Sequence, residues 1–267
     1  MLKDIFNDFL KSYDEKLKDK IWTEQSKRFN DFWKTRIRNA AKPGLTDAEI
    51  DKYVMIIDRS GKGNTQHSEA IARVMVPQGA WRRLYRSFRS DKKLLRLMDS
   101  ILSAKNDETR ATAIDELYQH NKGNNNYLTG KSGNTINAFL AAFDPFKNLS
   151  MVSLKDRYTF IEAMKIPVTD DLKESSIGTQ IIKTNSAILK FFKQNGIEHN
   201  ARTISVFCYS PFMMKEWKLN VLTTSQGETE VTVPEKNDED NFSKSGGSKK
   251  EIKESSKIQA MIANIGA

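Results

Sequence analysis

The 267 residues carry 43 Lys+Arg against 34 Asp+Glu, a formal charge of +9, with 38% hydrophobic residues and a mean hydropathy of −0.60. That is apolar material for one large or two modest domains under a heavily charged surface, and the cation surplus favours a polyanionic partner, nucleic acid being the commonest. The single cysteine, Cys208, excludes an intramolecular disulfide and a Cys-rich zinc site. Met1-Leu2-Lys3-Asp4 lacks a signal-peptide profile and no run has the length of a membrane span, so a cytoplasmic protein with no membrane partner is expected.

Leu2, Ile5, Phe6, Phe9, Leu10, Tyr13 and Leu17 recur at helical spacing, followed by Trp22, Phe29, Phe32, Trp33 and Ile37 before a break at Lys42-Pro43-Gly44. Thr46 and Glu49 form a capping box opening a helix through Tyr53, Ile56 and Ile57, which stops at Gly61-Lys62-Gly63-Asn64. Another helix is expected over Ala70–Val76, then one from Trp81 to Leu102 after Pro77-Gln78-Gly79. Residues 1–120 therefore read as a helical domain.

The loop signal at Asn121–Asn126 opens a second part, 121–222, with mixed character. Leu149–Ser153 reads as a short strand, Lys155–Met164 as a helix, and Gly178–Asn195 as an amphipathic helix ended by Gly196. Thr203–Tyr209 alternates and is β-branched, which reads as a strand, although its shortness leaves a helix open. Residues 223–253 have linker composition, and Ile258, Met261, Ile262 and Ile265 form an apolar stripe on a last helix, 254–267, too short to stand alone in water. The expected fold is α+β and predominantly helical.

The clearest functional candidate is the Trp81–Leu102 segment. Opposite its apolar stripe, Arg82, Arg86, Arg89, Lys93 and Arg96 step by four, three, four and three, so a continuous helix would align them in one row. Guanidinium groups suit phosphate oxygens, offering a planar fork of donors and a permanent charge. The competing reading is a solvated face paired with carboxylates elsewhere. Lys27, Arg28, Lys34, Arg36, Arg38 and Lys42 form a second basic group, interleaved with aromatics at core spacing.

Gly130-Lys131-Ser132 fails as a phosphate-binding P-loop, because Asn125 holds the place of the first glycine and no apolar strand precedes it. His67, His120 and His199 have no ligand-like neighbours at i+3 or i+4, so neither a metal site nor a Ser-His-Asp triad is supported. Asp171-Leu172-Lys173 and Glu251-Ile252-Lys253 match the acidic-x-Lys half of a metal-dependent nuclease motif but lie in no plausible buried strand. No complete active site is visible.

Asn137–Pro145 and Met151–Tyr158, with Arg202-Thr203-Ile204-Ser205 leading to Tyr209-Ser210-Pro211, resemble the N-terminal recognition regions of bacterial restriction endonucleases and related defence proteins. The tail, Glu254–Gly266, is similar to the opening helix of an Mrr-like nuclease domain of PD-(D/E)xK fold. The resemblance implies a DNA target-recognition module attached to a nuclease domain of which this chain carries only the first helix. Mg²⁺ would then be needed by that missing domain alone, with no cofactor in this chain, and the full-length enzyme would form a homodimer. The expected DNA-contacting residues are Arg36, Arg38, Arg82, Arg86, Arg89, Lys93 and Arg96, joined in the second part by Lys131, Arg157 and Lys183. The alternatives are a helical protein-interaction subunit of a defence or regulatory complex, and an enzyme whose site the sequence does not reveal.

Overall fold

Helix α1 (Leu2–Leu10) buries Phe6 and Phe9 and stops short of Asp14, whose carboxylate accepts the Leu17 amide at 3.0 Å and starts α2 (Glu15–Phe32). The apolar stripe expected over Leu2–Leu17 is thus split between two helices, leaving Leu17 exposed. This computed structural model describes residues 2–39, 44–58 and 70–218. The Gly61–Asn64 stop, His67, the Glu251-Ile252-Lys253 triplet, the 223–253 linker and the 254–267 helix lie outside the described residues. α2 continues without a stop into a π-helical turn, Trp33–Arg38.

Helix α3 (Asp47–Ile57) opens on the expected capping box. The Glu49 amide donates to Thr46 Oγ1 at 3.3 Å, and the Thr46 amide donates back to Glu49 at 2.8 Å. The helix expected over Ala70–Val76 does not form; these residues are irregular, with one isolated parallel bridge between Asp58 and Ala72. The reason is Asp58, fully buried at the end of α3. Its carboxylate accepts the Val74 and Val76 amides at 2.9 and 3.3 Å and the Trp81 indole N–H at 3.0 Å, which removes those amides from any helical ladder. Met75, held between the two captured amides, takes φ 65°.

The segment expected as one helix from Trp81 to Leu102 is two, α4 (Gln78–Ser90) and α5 (Lys92–Ser103). Asp91 makes the corner: its backbone leaves helical geometry and its side chain accepts the Lys93 and Leu94 amides, both at 2.9 Å. Helices α6 (Asp107–His120) and α7 (Asn134–Phe143) follow, joined by a turn in which buried Asn121 and Asn126 exchange amide hydrogen bonds at 3.0 and 2.9 Å. Then come α8 (Leu154–Ala163), a 3₁₀ turn (Asp170–Glu174), α9 (Ile177–Gln194), α10 (Ala201–Cys208) and α11 (Pro211–Trp217).

The α+β expectation is corrected to an all-helical one: no strand occurs among the described residues. Thr203–Tyr209 falls in α10 and its cap, where Asn200 takes the Thr203 amide and all but Val206 and Tyr209 are buried, so tertiary packing overrides β-branched propensity. Leu149–Ser153 is not a strand because side chains satisfy it. The Leu149 amide donates to Asn185, the Ser150 amide to Ser205, and the carbonyls of Leu149, Met151 and Val152 accept from Arg157 and Asn137.

One apolar cluster gathers Trp22, Phe29, Trp33, Trp81 and Phe88 around Phe139, whose ring lies 5.9–6.2 Å from those of Phe29, Trp33, Trp81 and Phe88. A second joins Phe6 and Phe9 to Phe160, Phe192, Phe207 and Trp217. Both clusters draw on residues before and after 121, α2 packs on α7 and α6 on α9, and the described residues belong to one compact unit. The Asn121–Asn126 loop is therefore a turn within one compact unit.

Candidate nucleic-acid interface

The Asp91 corner decides what becomes of the arginine row. Arg82, Arg86 and Arg89 stay on α4, while Lys93 and Arg96 belong to α5, so the five cations do not form one helical row. α3 packs beside α4 and presents Asp47 and Asp51, one helical turn apart, to the α4 arginines. Arg82 is held by Asp51 through a two-pronged contact, with Nε at 3.1 Å from Oδ1, and its Nη1 is 3.2 Å from Asp47. Arg86 Nη2 donates to Asp47 at 2.9 Å. The ion pair with Asp51 raises the Arg82 pKa further above its already high value. Arg89 lies over the Tyr85 ring, with its guanidinium against Gly44. The first two arginines of the row thus fasten α4 to α3.

What remains exposed is a different set. Arg83, Lys92 and Lys93 are exposed and make no ion pair among the described residues; Arg96 is also exposed, its Nε donating only to the Lys92 carbonyl at 3.3 Å. The nearby carboxylates are engaged. Asp47 and Asp51 hold arginines, and Asp99 takes the Trp33 indole N–H at 3.1 Å and Arg38 at 3.1 Å. Asp91 caps α5 and meets His120 Nε2 at 2.8 Å. Burial would raise the Asp91 carboxyl; the Leu94 amide and His120 outweigh it and hold the group below its ordinary value.

Of the other expected contacts, Arg38 is joined to α5 through Asp99, and Arg36 is half-buried on the π-helical turn. Lys131, in the loop before α7, and Lys183, on α9, are exposed, and no hydrogen bond or ion pair links either to α4 or α5. Arg157 is a correction. It is 1% exposed, and its guanidinium donates to Met151 O at 2.7 Å, Ile181 O at 2.9 Å, Thr184 Oγ1 at 3.3 Å and Leu149 O at 3.4 Å. Burial pulls its pKa down to about 9, still charged at neutral pH. This arginine organises the core and reaches no phosphate.

Asp171 is exposed on the 3₁₀ turn and Lys173 pairs with Glu162, so this triplet does not assemble with a second acid. His199 Nδ1 meets Glu15 at 2.8 Å. Among the described residues no three His, Cys, Asp or Glu side chains gather into a metal-binding group. The Cys208 thiol is fully buried, which pushes its pKa up and makes it a poor nucleophile. No helix among the described residues is long and apolar enough to cross a membrane.

The sequence reading missed a cleft of about 730 Å³ whose lining includes Arg73, Arg202, Tyr209, Phe212 and Lys218. Arg202, Tyr209, Phe212 and Lys218 come from the adjoining α10–α11 stretch and Arg73 from a distant segment, and no motif links them. No protein-family model, no curated protein and no solved structure matches this chain.

Proposed function

We propose that this chain is a DNA-binding module whose phosphate grip is the α4–α5 corner. The observation that carries the reading is unspent charge: Lys92, Lys93 and Arg96 stand exposed at the start of α5, with Arg83 exposed on α4, while Asp47, Asp51, Asp91 and Asp99 are all engaged. Exposed cations that make no ion pair among the described residues suit the regularly spaced charges of a nucleic-acid backbone, and the +9 surplus draws the polyanion in. The grip is sequence-independent, and target choice needs further contacts.

The resemblance of residues 137–158 and 202–211 to restriction-endonuclease recognition regions extends the proposal: the DNA-binding surface serves target recognition for a nuclease. Catalysis and its Mg²⁺ then belong to a separate nuclease domain, and cutting both strands calls for a dimer.

The test is a salt titration of binding to a short duplex. Each lost phosphate contact lowers the slope of log K against log salt by about 0.9. The Lys92/Lys93/Arg96→Ala variant is expected to bind more weakly with a slope shallower by about 2 to 3. Arg82→Ala, which removes a guanidinium already bound to Asp51, should lower stability and leave the slope within about 0.5 of the unmodified chain. Absence of binding near physiological salt, or an unchanged slope in the triple variant, overturns the proposal and favours a protein-docking role.

A further inference from the structure

The cleft combines two chemistries. Its volume of about 730 Å³ lies within the roughly 300–1,000 Å³ usual for small-molecule sites. It is bordered by the end of α1, the Ile71–Arg73 segment, α8, α10 and α11. Arg73 is exposed and makes no ion pair among the described residues. Lys218 Nζ lies over the Tyr209 and Trp217 rings, 5.2 and 4.9 Å from their centroids, and 4.0 Å from Asp156 Oδ2. Asp156 is itself taken at shorter range by the Tyr209 hydroxyl, which donates to Oδ2 at 2.6 Å. The cleft's described lining contains no other carboxylate.

Arg202 shapes the inner wall. Its Nη1 donates to Ile71 O and Ser150 Oγ, both at 3.2 Å, and its guanidinium sits 4.7 Å from the centroid of the Trp22 ring. The hydroxyls of Ser12, Ser205 and Ser210 donate to the backbone carbonyls of Phe9, Ala201 and Phe207, which leaves the Ser150 and Tyr13 hydroxyls and the cations, Lys18 of α2 among them, as the side-chain donors of the lining. The remaining surface is apolar and rich in aromatic rings, with Ile71, Val152 and Val206 beside Phe9, Tyr13, Tyr209 and Phe212. Tyr13 stacks on Phe9 with ring centroids 4.8 Å apart, and Phe212, at 38% exposure, is a large apolar ring of the lining that meets water.

We propose that this cleft binds a nucleotide, its phosphate taken by Arg73 and Lys218 and its base stacked on Phe212. Lysine meets phosphate as a point charge and arginine as a planar fork, and a planar base covers an exposed ring without needing directional partners. The site is separate from the proposed DNA grip, because none of Arg83, Lys92, Lys93 and Arg96 lines it.

The experiment is calorimetric titration of the full chain with the four nucleoside monophosphates, with inorganic phosphate and the matching nucleosides as part-ligands. At least one nucleotide should bind saturably and tenfold or more tighter than either part-ligand. Arg73→Ala/Lys218→Ala and Phe212→Ala should each weaken it by about tenfold or more. Thermal melts of Arg73→Ala and Phe212→Ala, both exposed positions, verify that the variants fold. The Lys92/Lys93/Arg96→Ala variant should keep nucleotide binding intact, so failure of the cleft and failure of the DNA grip read out separately. No saturable binding by any nucleotide, phosphate binding as tightly as the nucleotide, or unchanged affinity in the Arg73/Lys218 variant overturns the proposal.

Discussion

Replacing Arg157 by methionine separates two roles that its sequence position does not distinguish. Methionine fills much of the same volume with a flexible apolar chain and supplies no donor. The carbonyls of Leu149 and Met151 lie outside any helix and lose the donors at 3.4 and 2.7 Å, whereas Ile181 O keeps its place in α9. Two orphaned buried carbonyls cost about 1–3 kcal/mol each. Removing a fully buried charge returns part of that, since the guanidinium makes no ion pair among the described residues. The net expectation is a loss of about 3 kcal/mol of folding stability. Urea unfolding reads it as a lower midpoint at unchanged slope. Duplex binding, measured at a temperature where the variant is folded, should keep both its affinity and its salt slope. Unchanged stability together with weakened DNA binding would refute the reasoning, because Arg157 would then be acting at the surface.

Asp91→Ala should cost about 1 kcal/mol of stability at pH 7 by removing the α5 cap. Because the native carboxyl titrates below its ordinary 3.8, its contribution is present above that value and fades as pH falls through the lower native one; unfolding curves of the two proteins should therefore converge in acid and remain apart at pH 7. Gly178→Ala places a Cβ 2.1 Å from Ala111 O and 2.8 Å from Ala111 C, backbone atoms of α6 that cannot swing aside, so a loss of about 3 kcal/mol or more is expected in thermal melts. Asp58→Asn leaves one acceptor oxygen where the carboxylate served the Val74 and Val76 amides and the Trp81 indole; it should cost about 3 kcal/mol and speed hydrogen exchange at Val74 or Val76, and normal protection at both would count against the proposed clamp.

Helices with strong periodicity and caps were legible from the residues alone. The Thr46–Glu49 box marks the start of α3, and the Gly178–Asn195 amphipath carries both start and stop signals, with α9 beginning and ending within a residue of them. The misread elements share a different cause. At Leu149–Ser153 the partners that satisfy the backbone are Asn137, Arg157, Asn185 and Ser205, between 6 and 55 positions from the groups they bond, and no short window around the segment contains them all. At Ala70–Val76 the decisive group is Asp58, which captures alternate amides from outside the segment. At Asp91 the signal was present: an aspartate followed by Lys93 and Leu94 within an otherwise apolar-periodic run is an N-cap sequence, which a single-helix reading absorbs as one polar residue among many.

The basic row carries the same lesson into function. Arg82 and Arg86 are four apart, and so are Asp47 and Asp51; two helices with matching spacings of opposite charge can neutralise each other before any phosphate arrives. A row of arginines is therefore evidence for a polyanion only after the carboxylates of the helix packed beside it have been subtracted. Here the subtraction removes Arg82 and most of Arg86 and promotes Arg83, Lys92 and Lys93, which the i,i+3,i+4 register of the apparent single helix had left out or ranked no higher than the rest. Arg83 faces away from that row by about 100° on an ideal helix, with its guanidinium beside Gly79, and the turn at Asp91 ends α4 and starts α5. The phosphate grip, on this reasoning, is a property of the corner between α4 and α5 and depends on the Asp91 cap that makes it. If Asp91→Ala lowers duplex affinity while leaving every cation in place, the geometry of the corner, and not its charge alone, holds the DNA.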